Sequence, residues 1–157
     1  MRITFLCGLL LLLASAPSRA EWYSDTREMM GTRVEIQLWT ADEATGRKLI
    51  AAGMGEFARI EAAMSTYRES SEISAVNRDA ALHAVPASAE LHDLVRRSLE
   101  LSVATNGAFD ITFDSVGRLY DFRKRVRPDE DSIQENLPAI DYRHVVLGAN
   151  PATIRFT

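Results

Sequence analysis

From Arg33 to Trp39 polar and apolar residues alternate, with Val34, Ile36 and Leu38 on one side and Arg33, Glu35 and Gln37 on the other. That period of two predicts a half-buried strand, of the kind found in antiparallel sheets. Thr40 followed by Glu43 reads as a capping box opening a long helix. The period then changes: Ile50, Met54, Phe57, Ile60 and Met64 fall on one helical face, with Gly53 and Gly55 weakening the helix locally. Arg68 to Asp79 is polar and predicts one short helix opened by Ser70 or Ser71. His83 to Pro86 is a short extended piece before a second helix, from about Ser88 to Thr105. Leu91, Val95, Leu99 and Val103 recur there every four residues, Leu94 broadens the stripe, and Asn106-Gly107 supplies a left-handed stop. Arg123 to Leu137 reads as a charged surface loop with a short helix after Pro128. His144 to Leu147 and Thr153 to Phe156 form a hairpin whose turn confines Pro151. Strand, helix, helix and hairpin in that order predict an α+β fold, a mostly antiparallel sheet with packed helices, and not a doubly wound one.

Ahead of this pattern lies a different one. Arg2 precedes an apolar core, Ile3 to Ala14, and Ser18-Arg19-Ala20 closes it with small residues at the two recognition positions of a secretory leader. The apolar run is shorter than the roughly 20 residues that span a bilayer. The expected division is a signal peptide over 1–20, cleaved after Ala20, and a mature domain over 21–157, in the periplasm or otherwise exported. Cys7 sits inside the apolar core behind the bulky Phe5 and Leu6, a poor place for lipid attachment. It is the chain's single cysteine, so the mature part has no disulfide, thiol nucleophile or cysteine-bound metal. Loss of the leader removes two basic residues and no acid, leaving 16 basic against 22 acidic groups, a net charge of −6. A balance of that sign argues against nucleic acid as a partner.

Several residues have chemical potential, and each has an ordinary explanation too. Asp110, Thr112 and Asp114 are spaced two apart, with Phe109, Ile111 and Phe113 between them. If the stretch is extended, one face packs and the other presents two carboxylates, which could bind a hard cation or exchange protons. A solvated strand face would look the same. Tyr67, between Thr66 and Arg68, could stack on an aromatic ligand while Arg68 meets a phosphate, or it could be a buried tyrosine with a satisfied hydroxyl. Met30 before Gly31-Thr32 offers a pliable apolar surface beside a backbone that can approach a ligand closely, or simply a turn into a strand. His83, His92 and His144 lie on different elements without a metal-binding spacing. No Walker loop or dinucleotide-binding glycine turn occurs, which excludes a Rossmann site.

Three blocks, Met29-Met30-Gly31-Thr32-Arg33-Val34-Glu35-Ile36, Met64-Ser65-Thr66-Tyr67-Arg68 and Thr105-Asn106-Gly107-Ala108-Phe109-Asp110-Ile111-Thr112, stand in this order. Together they resemble the ApbE family, the FAD:protein FMN transferases. The resemblance implies Mg²⁺-dependent transfer of FMN from FAD to a threonine of an exported or membrane-bound flavoprotein, with release of AMP. It implies FAD contacts at Met30, Tyr67, Ala108, Phe109 and Asp110, and Ser71 to Asn77 resembles the family's short helix ending in Asn. Asp114, where family members tend to carry Gly, and Gly117-Arg118, where a Pro-Leu step is usual, depart from the pattern. The family's metal ligands and glycine-rich Asp-x-Gly-Gly segment lie past the position of Thr157. No catalytic residue and no Mg²⁺ ligand is therefore assigned within this chain, and the expectation is the truncated N-terminal half of such an enzyme. The alternative is a periplasmic FAD-binding protein or inactive remnant without transferase activity.

Overall fold

The computed structural model describes residues 19–121 and 124–157. The leader core and Cys7 lie outside the described residues. Two compact units divide the chain after Phe57.

In the first unit, β1 (Glu21–Met29) and β2 (Thr32–Thr40) pair antiparallel in register from Glu21 opposite Thr40 to Met29 opposite Thr32. Val34, Ile36 and Leu38 face inward as their alternation predicts. Periodicity does not announce β1, because the face it shares with Tyr23 and Met29 also carries Asp25 and Arg27. Those two charges satisfy each other, Arg27 Nε donating to Asp25 Oδ2 at 2.9 Å. Trp22 and Trp39 stand opposite one another and meet edge to face, centroids 5.4 Å apart. The helix that follows, α1 (Glu43–Met64), is opened by Asp42 and not by Thr40. The Asp42 carboxylate accepts the Ala44 N–H at 3.2 Å and the Thr45 N–H at 3.1 Å, and also the Thr45 hydroxyl. Thr40 instead accepts the Asp42 N–H at 3.3 Å, one step before the helix begins. Ile50 and Met54 are buried on its packed face. Gly46 and Gly53 let α1 lie close to the hairpin. A Cβ at Gly46 would sit 2.9 Å from Thr40 Cγ2, and one at Gly53 only 2.6 Å from Ile36 Cδ1.

The second unit gathers α2 (Glu72–Asp79), β3 (Val85–Pro86), α3 (Ala89–Ala104), α4 (Asp114–Gly117), α5 (Glu130–Asn136), β4 (Val145–Ala149) and β5 (Ala152–Phe156). Its sheet has the order β3-β5-β4, antiparallel throughout. Ser71 caps α2 and Ser88 caps α3, each accepting a backbone N–H three residues on. The core is Val76, Ala80, Val85, Leu91, Val95, Val145 and Ile154. On α3 the buried face runs Leu91, Val95, then half-buried Leu99 and buried Ser102, while Val103 is 64 % exposed. Strict fourfold spacing advances about 400° per step on a helix of 3.6 residues per turn, so by Val103 the stripe has drifted about 120° off the core. α3 ends as its Asn-Gly signal predicts. Asn106 and Gly107 adopt φ of 51° and 79°, and their N–H groups return to the carbonyls of Val103 and Ser102 at 3.1 and 2.8 Å. Helix α5 follows Pro128, capped by Asp129, and the final hairpin turns through Asn150-Pro151. His144 belongs to a 3₁₀ turn, Tyr142–His144, just before β4 instead of to the strand itself.

Candidate functional site

Met30 and Gly31 form the two-residue turn between β1 and β2, with φ of 54° and 71°. Both left-handed values define a type I′ hairpin turn, where Asn-Gly is the usual pair. A methionine in that conformation is unusual and strained, and it leaves Met30 46 % exposed at the tip of the first unit.

The other predicted residues belong to the second unit, on two loops. Tyr67 lies between α1 and α2 and is 91 % exposed, so the ordinary reading of a buried tyrosine does not hold for it. Its loop is pinned from beneath by Ser71. The Ser71 hydroxyl is buried, donates to the Ser65 carbonyl at 2.7 Å and accepts the Ser74 N–H at 3.1 Å. Arg68 is exposed and makes no ion pair among the described residues.

Ala108, Phe109 and Asp110 follow directly on the stop of α3. The Ala108 N–H reaches the Thr105 carbonyl at 3.2 Å and the Phe109 N–H the Thr105 hydroxyl at 3.1 Å, leaving the Phe109 side chain 39 % exposed. Beyond Asp110 the chain is not extended. Ile111–Phe113 form a 3₁₀ turn and Asp114 opens α4, because Asp110 caps the turn instead of standing on a strand. Asp110 and Asp114 are therefore not paired on one strand face. Asp110 Oδ1 accepts the Thr112 N–H at 2.9 Å and the Thr112 hydroxyl at 2.6 Å, while Oδ2 accepts the Tyr142 N–H at 2.8 Å. Thr112 Oγ1 in turn accepts the Asp141 N–H at 2.9 Å. Tyr142 has no local signal linking it to Asp110, which is why periodicity and motif reading pass over it. Next to it, the Arg143 guanidinium and backbone N–H hold the Asp141 carboxyl down at about 2.

A cleft of about 510 Å³ opens between α3, α4 and the last hairpin, with a floor that includes Leu91, Val95 and Ile154 and a rim that includes Asp114 and Arg118. None of Met30, Tyr67, Ala108, Phe109 or Asp110 lines it. Among the described residues no three His, Cys, Asp or Glu side chains gather as a metal-binding group. With both Asp110 oxygens engaged by protein donors, these residues do not fit the near-octahedral oxygen shell that Mg²⁺ requires.

The ApbE family model matches residues 30–156. An FAD:protein FMN transferase of Vibrio cholerae is 31% identical over 149 residues, which are 92% of this chain and 43% of that protein. One of Haemophilus influenzae is 30% identical over 79 residues, 50% of this chain and 23% of its own length. The chain thus spans less than half the length of the curated relatives it matches. Among solved structures, the ApbE protein of Thermotoga maritima superposes with a TM-score of 0.77 at 21% identity, over 87% of this chain and 45% of its own. The flavin transferase ApbE from Vibrio cholerae gives 0.70 at 24% identity, over 88% and 46%. These structures share the fold of antiparallel strands and packed helices, and the family match takes in the Met30 turn, the Tyr67 loop and the Asp110 turn alike. The chain belongs to the ApbE family.

Proposed function

We propose that this chain supplies flavin-contacting parts of an FAD:protein FMN transferase. The observation that carries the reading is the family match over residues 30–156, which contains every residue expected to touch FAD. An almost fully exposed Tyr67 beside Arg68, which has no ion pair among the described residues, supports it, since a ring and a guanidinium suit an isoalloxazine or adenine plane and a diphosphate. Met30 in the first unit and Phe109 in the second each offer apolar surface to an aromatic ligand.

The reaction is attack of an acceptor threonine hydroxyl on the flavin-side phosphorus of FAD. A new P–O bond forms to the threonine oxygen, the bridging P–O bond breaks, AMP leaves, and the hydroxyl proton is released. The acceptor is an exported or membrane-bound flavoprotein. A Mg²⁺ requirement belongs to this reading, but no step is assigned to the metal, because the described residues form no shell for it. Export is part of the same proposal. Cleavage after Ala20 would leave β1 whole, since its first paired residue is Glu21, and the periplasmic form is expected to begin there. Mass analysis of its N-terminus would contradict this by finding Met1.

The test has two arms. Titration of the chain with FAD should quench flavin fluorescence. A chimera with residues 21–157 in place of the matching half of the Vibrio cholerae relative should add one FMN to an acceptor protein. No quenching and no labelling would refute the proposal, while quenching with an inert chimera would favour an FAD-binding protein without transferase activity.

A further inference from the structure

Asp110 stands in the block on which the flavin reading depends, yet its carboxylate is turned toward protein donors. Three of them, the Thr112 N–H, the Thr112 hydroxyl and the Tyr142 N–H, occupy its two oxygens at 2.6 to 2.9 Å. An ionised carboxylate only accepts, and three donors leave it little capacity for a ligand. A free carboxylate would also repel a diphosphate. Thr112 extends the network, because a hydroxyl that has donated its proton can still accept, here from the Asp141 N–H at 2.9 Å. Two of the four bonds are local to the turn, and the other two join it to a segment 29 to 32 residues further on.

The same segment also approaches the turn from another side. The Tyr142 ring is near the open side of Gly107, where an added Cβ would stand 3.8 Å from Cε1. Ala108 and Phe109 are thus flanked by Gly107, near the Tyr142 ring, and by Asp110, bonded to the Tyr142 amide. We infer that Asp110 and Thr112 are positioning residues. They hold the Gly107–Asp110 turn in the shape that presents Ala108 and Phe109 to the flavin, and they act through Asp141 and Tyr142. The Asp110 carboxylate acts on the turn and not on the flavin, which leaves only the backbone of Asp110 to meet the ligand. This inference rests on the flavin reading above for its ligand.

The experiment compares Asp110→Asn, Thr112→Val, Thr112→Ser and the double variant Asp110→Asn/Thr112→Val in the full chain. Each is measured for FAD affinity and for amide hydrogen exchange at Asp141 and Tyr142. Asn would turn either an amide group toward the Tyr142 N–H or an unmatched one toward Thr112, and Val removes the relay hydroxyl. Each should weaken FAD binding by about tenfold and speed exchange at the bonded amide. Thr112→Ser should restore both, and the double variant should lose far less than the product of the single losses, since the bonds form one network. Normal FAD affinity in Thr112→Val, with Asp141 exchange accelerated and Asp110→Asn impaired, would make Asp110 a direct ligand and overturn the inference. So would unchanged Tyr142 exchange in Asp110→Asn. If the unaltered chain binds no FAD, the functional reading fails, and the exchange rates alone decide whether the clamp exists.

Discussion

At the residue scale, Met30 has a conformation that stability alone would not select. A non-glycine residue in the left-handed region costs about 1–3 kcal/mol, and Asn bears it far better than Met. Met30→Asn is expected to raise the stability of the hairpin by about 1 kcal/mol and to weaken FAD binding. Unchanged affinity in a thermal and flavin titration would leave Met30 as a turn residue only. Tyr67→Ala should likewise weaken FAD binding, whereas Asp131→Ala, in the exposed first turn of α5, should not. Equal affinities would remove Tyr67 from the site. Asp141 gives a pH-dependent expectation. Its carboxyl is depressed from 3.8 to about 2 by Arg143. A depressed value means the contribution is complete above 3.8 and is lost as pH falls toward 2. Arg143→Ala should therefore differ from the unaltered chain near neutrality, and the two acid-unfolding curves should converge by about pH 2.

At the scale of elements, the drift of the α3 stripe separates two residues that look equivalent in sequence. Leu91 is 2 % exposed, so Leu91→Ala should cost about 2–5 kcal/mol. Val103→Ala, on the exposed side, should stay within about 0.5 kcal/mol by denaturant unfolding. A comparable loss at both sites would mean that α3 is buried all round. Where one physical signal dominates, the sequence is readable: alternation marks β2, serine caps open α2 and α3, Asn-Gly stops α3, and the last hairpin follows its turn residues. It is unreadable where two signals compete. β1 hides behind Asp25 and Arg27, which break the alternation on the face of Tyr23 and Met29 and pair with each other along the strand. The Thr40-to-Glu43 spacing imitates a cap that Asp42 provides from closer by. Around Asp110 the period-two spacing suggests a strand, but the side chain's own bond to Thr112 N–H bends the chain into a 3₁₀ turn. For the candidate site, the blocks draw attention to Tyr67 and Phe109 as residues, but not to the exposure of the first or to the turn that follows the second. The Tyr142 partner was not, because a bond spanning 32 residues leaves no trace in local pattern.

For the whole molecule, the cleft beside α3 places apolar floor residues within reach of solvent. The chain at neutral pH is expected to brighten an anilinonaphthalene sulfonate dye, and Leu94→Glu, on the cleft wall and half exposed, to dim it. Equal emission from both would show that the dye reports on another surface. The clamp has a consequence in time as well as in space. A ribosome that adds about 5–20 residues per second needs about 2–6 s to travel from Asp110 to Tyr142. During that interval α3 can already be wound, yet the turn behind it lacks the amide that fixes its shape. On the flavin reading, the turn that would present Phe109 is complete only once the segment carrying Tyr142 has arrived, and a flavin encountered earlier would meet a loop that has not yet closed.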